Sequence, residues 1–298
     1  MAYRHVLHVL SPLAHVSPFD VNMAVDAGFE VILPYTSVQL KEVAGLTQDA
    51  IFSRAPKSAK STGLFIGGKD AELALDMLDA ARKAMVPPFE ISVLADPAGS
   101  FTTAAAMVAK VEAALGQKHG SGLAGREVAV FGGTGVIGFA SAVIAAQQKA
   151  HPVLIGYDGE ARVKRLAESA KRRFSVDIGY ADGSTEAANT KALASSEVAF
   201  LAPRAGVRVL NSSQITATSK LLVLADVNAV PPSSVEGIDA RDDGKPVPDT
   251  KAIGIGALAV GGVKYKVQAG LLKRMTESDK ALYLDFRDAF ELARQIVG

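Results

Sequence analysis

Apolar residues along this chain fall into two rhythms that take turns. Short dense runs occur at residues 4–11 (RHVLHVLS), 29–34 (FEVILP), 50–53 (AIFS), 63–67 (GLFIG) and 90–95 (EISVLA). Their length and β-branched content predict strands. Between them, residues 18–27 open on Pro18 and read as a helix, and 37–44 as a short one. Residues 70–84 space their apolar positions at a helical period, open on an acidic turn and stop before Pro87-Pro88. Arg54 to Thr62 reads as a polar loop. Strands and helices alternating at this spacing predict parallel α/β units.

An Ala-rich helix is expected at 102–115, followed by a polar, Gly-rich stretch from Gly116 to Gly125 that reads as a boundary. A second α/β run then begins. Strands are expected at 127–131, 152–156, 176–180, 197–202 and 220–226, with helices at 136–149, 159–173 and 185–195. Residues 253–263 (IGIGALAVGGV) form an apolar segment of small residues, and 280–297 reads as a closing amphipathic helix. No solenoid period and no low-complexity tract interrupts the pattern.

Composition narrows the classes. The 298 residues are 49% hydrophobic and 21% charged, which fits a folded chain large enough to bury its own core. Lys and Arg number 32 against 31 Asp and Glu, so net charge gives no case for nucleic acid or an anionic membrane as partner. There is no Cys, which excludes disulfides, a thiolate nucleophile and Cys-ligated metal, and fits a cytoplasmic location. Residues 1–19 make a poor signal peptide. The longest uncharged run, Val128 to Gln148, could span a bilayer by length alone. Four glycines in its front half favour a buried strand, a turn and a helix instead.

That run carries the strongest local signal. Gly133-x-Gly135-x-x-Gly138 follows an apolar strand and opens a helix. The first glycine permits a tight turn, the second lets backbone approach a diphosphate, and the third lets the helix pack close to the strand. The N–H groups and dipole of the helix N-terminus favour an anion. The expected nucleotide contacts are Gly133, Thr134, Gly135, Val136, Ile137 and Gly138. The next strand, HPVLIGYD, ends on Tyr157 and Asp158. A carboxylate there accepts hydrogen bonds from the ribose of NAD and repels the 2′-phosphate of NADP. Arg162, Lys164 and Arg165 follow within two turns, and Arg suits phosphate, although the three also fit a solvated helix face. NAD use with NADP tolerated is the expectation.

Absent motifs narrow the chemistry further. None of the six Tyr has a Lys four residues on, and the five His form no HExxH and no zinc constellation. No metal site is expected. GxSxG and GxxxxGK[ST] are both missing, which leaves hydrolase and P-loop readings without support.

Several stretches taken in order resemble one family. They are PFDV (18–21), STGLFIGG (61–68), LADPAGSFTTAAA (94–106), GGTGVIG (132–138), ADVNAVPP (225–232) and GALAVGGVKYK (256–266). Their order and spacing are similar to the NAD(P)-dependent methylene-tetrahydromethanopterin dehydrogenases of methylotrophic bacteria. The strictly NADP-dependent branch of that family carries Gly-Arg after the second nucleotide-domain strand. Here Gly156-Tyr157-Asp158 stands in its place, as in a branch accepting both cofactors. The resemblance implies a pterin-binding domain over 1–101, a Rossmann-type NAD(P) domain over 102–266, and a helical segment, 267–298, packing back toward the first. It also implies a cleft between the domains, a homo-oligomer built from trimers, and a role in formaldehyde oxidation.

The implied reaction moves a hydride from the methylene bridge to the nicotinamide. Two flanking nitrogens push the hydride out and leave an amidinium-like cation, so no proton need move in that step. Such a reaction requires positioning and electrostatics more than an acid–base pair. A carboxylate near the reacting carbon favours the developing charge, and Asp20 and Asp96 are the candidates, each of which also fits a helix or turn cap. Lys264 is the third catalytic candidate. Lys264 and Lys266, two apart, point to opposite sides of an extended segment, so only one is expected to reach the substrate, at pterin oxygens or the anionic tail. Ser100, Thr102 and Thr103 offer hydroxyls to the pterin or cap the Ala-rich helix. Arg54, with Lys57 and Lys60, is placed to meet the acidic tail if its loop is not simply solvated. Asp226 and Asn228 end a strand at the carboxyl edge and are assigned with Pro231 to the nicotinamide side. Two alternatives stay open: a methylene-tetrahydrofolate dehydrogenase, and a dinucleotide-binding regulator without turnover.

Overall fold

The computed structural model describes residues 3–298. The chain divides into two compact units: residues up to Thr102 with Tyr265–Leu292, and Thr103–Lys264 with Ala293–Gly298.

The first unit holds strands β1 (Val6–Leu10), β2 (Val31–Tyr35), β3 (Thr62–Ile66) and β4 (Ser92–Ala95) with helices α1 (Pro18–Asp26), α2 (Val43–Phe52) and α3 (Ala71–Lys83) between them. Helix α4 (Ser100–His119) begins here. Every residue of β3 and β4 is buried, as expected for a parallel sheet covered on both faces. Asp70 starts α3 by accepting a 2.8 Å hydrogen bond from the Leu73 N–H. The expected strand at 50–53 is instead the end of α2 and the residue after it. Val43, Thr47, Ala50 and Ile51 are the buried positions, a helical spacing that a four-residue apolar run was too short to display.

The second unit begins with β5 (Glu127–Phe131), α5 (Val136–Gln147), β6 (His151–Gly156), α6 (Glu160–Phe174), β7 (Gly179–Asp182), α7 (Glu186–Ala194) and β8 (Val198–Leu201). It continues with α8 (Ser212–Thr216), β9 (Val223–Asp226), β10 (Asp243–Pro246), β11 (Ile253–Ile255) and α9 (Ala257–Glu277). The seven strands lie in the order β10-β11-β9-β8-β5-β6-β7, all parallel except the edge strand β10. The six parallel strands follow the doubly wound dinucleotide-binding order, with the reversal between β5 and β8. The Val128–Gln148 run is β5, a turn and α5, and no helix among the described residues is long and apolar enough to cross a membrane.

The extended segment expected around Lys264 and Lys266 is helical. Only Ile253–Ile255 remains a strand. A Cβ on Gly256 would lie 2.1 Å from the Asp239 carbonyl oxygen, so only glycine fits between β11 and α9. The two lysines still point apart, because two residues of α-helix turn through about 200°. Lys266 is exposed and Lys264 half-buried. The closing helix is also shorter than expected. Tyr283–Leu284 form β12, parallel to β4, so the first sheet runs β12-β4-β3-β1-β2 and α10 starts only at Phe286–Val297. The buried Asp285 carboxylate stops the strand and accepts from the Arg287 backbone N–H at 2.8 Å.

Candidate active site

The second unit builds a glycine cradle at the carboxyl end of β5. Gly132 has φ +76°, and a Cβ there would lie 2.1 Å from the Ala202 carbonyl oxygen at the end of β8. Gly132 therefore makes the tight turn that the sequence reading gave to Gly133. It belongs with the site, and the doubled glycine was its signal. A Cβ on Gly133 would lie 3.0 Å from the Ile155 N–H nitrogen, and one on Gly138 would lie 2.5 Å from the Gly132 oxygen. Gly138 thus draws α5 against the turn, as the spacing predicted. Gly135 is exposed, donates its N–H to the Gly132 oxygen at 2.9 Å and stands as N-cap of α5 without a side chain. Thr134, Val136 and Ile137 are half-buried beside it. The first-turn N–H groups of α5 have no acceptor within the helix, an arrangement that favours an anion.

One strand over, a second turn follows β6. Gly156 admits no Cβ, which would lie 2.1 Å from the Gly159 oxygen, and Gly159 itself has φ +99°. Between them Tyr157 and Asp158 project to the surface. Arg162, one helical turn on, donates to Asp158 at 2.9 Å and to the Tyr157 hydroxyl at 3.2 Å, with its guanidinium 5.9 Å from that ring's centre. The hydrogen bond to Asp158, and then that to Tyr157, push the Arg162 guanidinium above its ordinary value. An acceptor for ribose hydroxyls and a cation for a 2′-phosphate thus stand side by side.

Asp226 and Asn228 lie at the expected carboxyl edge but face inward. Asp226 accepts from the Asn228 N–H at 2.8 Å and the Ser234 N–H at 2.7 Å. Burial pushes its carboxyl above the usual range, against the pull of those N–H groups. Asn228 donates to the Pro232 oxygen and accepts from Gly206 and Val230 N–H groups. Asp226 ties the loop after β9 to itself, and Asn228 ties it also to the loop after β8. What they offer a ligand is therefore the shape of that loop rather than their own polar atoms.

The first unit carries two recesses. The larger, about 530 Å³, lies at the amino ends of β3 and β4 among Lys57, Lys60, Glu90 and Asp279. The smaller, about 250 Å³, lies at the carboxyl ends of β1 and β3. Size favours the first. Chemistry favours the second, because open parallel sheets bind ligands outside their carboxyl ends and because a buried carboxylate lines it. That carboxylate is Asp20, 6% exposed, on the first turn of α1. Ser11, His15, Ser17 and Lys69 surround the same cleft. Asp20 accepts a 2.7 Å hydrogen bond from the side-chain amide of Gln268 on α9. Gln268, which is fully buried, was not foreseen, and 248 residues of sequence separation left no local signal for it.

Asp96 and Thr102 do not line that cleft. Asp96 is fully buried, accepts from the Phe101 and Thr102 N–H groups at 2.9 and 3.2 Å, and takes the Thr102 hydroxyl at 2.7 Å. These bonds assign Asp96 to holding the start of α4 rather than to catalysis, and Thr102 to the same cap rather than to substrate. Ser100 and Thr103, on either side, remain half-buried. Arg54 follows α2 at the amino edge of the sheet, its guanidinium 5.0 Å from the ring centre of Tyr3, remote from the cleft. Burial, and then this guanidinium, push the neighbouring His8 imidazole down. Arg54 is not among the residues that line this cleft. Among the described residues, no cluster of His, Asp and Glu is arranged to hold a metal ion.

Residues 18–98 match the family model described as the N-terminal part of methylene-tetrahydromethanopterin dehydrogenase. The chain is 52% identical, over 99% of both chains, to the NAD(P)-dependent methylenetetrahydromethanopterin dehydrogenase of Methylorubrum extorquens. It is 32% identical, over 94% of both chains, to the bifunctional protein MdtA of the same organism. Among solved structures, shikimate 5-dehydrogenase from Listeria monocytogenes, in complex with shikimate and NAD, is similar at a TM-score of 0.51 and 12% identity, covering 100% of this chain and 98% of that one. Ornithine transcarbamoylase from Giardia lamblia reaches 0.55 at 12% identity, covering 93% and 88%. These two likenesses concern the fold alone.

Proposed function

The chain belongs to the methylene-tetrahydromethanopterin dehydrogenase family, and from that premise we propose that it oxidises methylene-tetrahydromethanopterin with NAD or NADP, giving the methenyl cation. The observation that carries the reading is the glycine turn Gly132–Gly138, where a methyl group has no room at either end of the cradle, in a chain whose first unit bears the family's N-terminal signature. When bound, the nicotinamide supplies the hydride acceptor. The protein's own residues bind and orient. The turn and the N-terminus of α5 take the diphosphate, and Tyr157, Asp158 and Arg162 take the adenosine ribose with or without its phosphate.

Asp20 is the group we assign to the reacting carbon. Its charge lowers the energy of an amidinium forming in the cleft and asks no proton to move. Lys264 is assigned to pterin oxygens or the anionic tail, because a lysine beside the forming cation would oppose the step. Lys266, Ser100 and Thr103 are assigned to outer substrate contacts. The resemblance to the enzymes of methylotrophic bacteria supports a place in formaldehyde oxidation, as a cytoplasmic homo-oligomer built from trimers; sedimentation tests the assembly.

The decisive experiment follows reduced nicotinamide by absorbance with methylene-tetrahydromethanopterin and each oxidised cofactor. Turnover with both NAD and NADP is expected. Equal or higher kcat/KM with methylene-tetrahydrofolate would move the assignment to that carrier. Cofactor binding without turnover would make the chain a regulator. Within the reading, Asp20→Asn lowers kcat while leaving nucleotide affinity in place; equal loss in both would mean a structural role.

A further inference from the structure

We propose that Gln268 is a positioning residue for the oxidation, acting on substrate only through Asp20. The inference rests on the reading of the Asp20 cleft as the pterin site. Gln268 is fully buried and Asp20 is 6% exposed at the cleft wall, so the carboxylate meets the ligand and the amide does not. A primary amide buried this deeply costs stability unless its polar atoms are bonded. Its N–H donates to Asp20 Oδ1 at 2.7 Å, short for an amide–carboxylate bond and at the strong end of the range.

The position of Asp20 makes the amide's role specific. Ser17 and Asp20 occupy the N-cap and third positions of α1, where an acid commonly reaches back to cap its own helix. Here the Asp20 N–H meets Ser17 Oγ at a long 3.4 Å, while Asp20 Oδ1 is held by a side chain from α9. The carboxylate is thereby fixed to two helices rather than to one. An amide also donates its hydrogen bond without adding charge. It sets the direction of the Asp20 carboxylate and leaves its field at the forming cation intact, which an Arg or Lys in the same place would weaken. Orientation of this kind is where catalysis without proton transfer gains, since a misplacement of about 1 Å costs up to about 10²-fold in rate.

Two substitutions in the full-length enzyme test the assignment. Gln268→Leu keeps the volume and removes the donor. It is expected to lower kcat by about 10- to 100-fold with nucleotide affinity unchanged. Gln268→Glu sets a second carboxyl against Asp20. At low pH the pair shares one proton, and the protonated Glu donates as the amide did. As pH rises through the raised apparent pKa of the pair, the second proton leaves, the two charges repel and kcat falls. His15 and Lys69 of the cleft, and Lys264 one turn earlier on α9, are common to wild type and variant, so the wild-type profile subtracts them. If Gln268→Leu does not fold, the Gln268→Glu profile decides. A Gln268→Glu enzyme whose pH profile overlays wild type, or one that acid fails to restore, overturns the proposal. So does a folded Gln268→Leu enzyme with wild-type kcat. Asp20→Asn separates the two ideas. If it lowers kcat while the Gln268 variants are neutral, only the role of Gln268 falls; if it too is neutral, the cleft is not the site.

Discussion

Replacing Asp158 by Ser should convert the enzyme toward NADP. The carboxylate lies at the end of β6, 35% exposed, with Arg162 beside it 48% exposed. In the proposed placement it accepts from the ribose of NAD. Because the site is wet, the lower end of the range for charge-assisted hydrogen bonds applies, about 1.5 kcal/mol. With NADP the same carboxylate faces a dianionic phosphate at roughly 5 Å, a repulsion of about 1.7 kcal/mol in water that salt screens to about 1 kcal/mol. The substitution removes both effects and releases Arg162 from its 2.9 Å bond, freeing the guanidinium for the phosphate. Together the terms shift the preference by about 2.5 kcal/mol, or roughly 70-fold in the ratio of kcat/KM values. The assay is initial-rate formation of reduced nicotinamide with each cofactor at one saturating pterin concentration and constant ionic strength. Arg162→Ala should move the same ratio the other way, chiefly by weakening NADP. A shift below about threefold for Asp158→Ser, or a shift toward NAD, would refute the placement of the ribose at this turn.

Other consequences follow from single contacts. Gly138→Ala drives a methyl to 2.5 Å from the Gly132 oxygen, so the cradle must open; nucleotide titration should show binding lost, with stability lower by about 1–3 kcal/mol in denaturant unfolding. Asp96→Ala strips three hydrogen bonds from the start of α4 and should cost about 2–4 kcal/mol in the same measurement, with cofactor affinity in the surviving folded protein unchanged. Burial, and then Glu90, push the Tyr283 hydroxyl up to about 12. The folded state therefore holds that proton more tightly than the unfolded chain. This contribution is intact below the ordinary value of 10 and lost as pH rises through about 12. Thermal melts should show an alkaline loss of stability in that window that is absent in Tyr283→Phe.

The legibility of the site tracked the range of the interactions that make it. The glycine cradle is written in consecutive residues, because a turn between a strand and the next helix is built from its own backbone. Even there the tight-turn role fell to Gly132, since the constraint is the Ala202 carbonyl arriving from β8. The ion pair of Asp158 and Arg162 is local in the same way, its partners four residues apart across the start of α6. The structure turns Asp96 and Asn228 onto their own backbone and leaves Arg54 outside the cleft lining. Each was chosen for its charge or polarity at a strand or loop end. Sequence does not record whether such a group faces a ligand or bonds to its own backbone, as Asp96 and Asn228 do.

From the chain alone came the alternation of strands and helices, the strand–glycine–helix element and the family. All three rest on local periodicity and on motifs in order. Tertiary structure decided that 50–53 closes a helix, that Tyr283–Leu284 leave a helix pattern to pair with β4, and that Lys264 sits on a helix. It also decided which carboxylate lines the cleft and which amide bonds to it. Those outcomes depend on partners up to 248 residues away. Burial at such contacts outweighs local preference, which differs by only about 1 kcal/mol per residue between one backbone state and another.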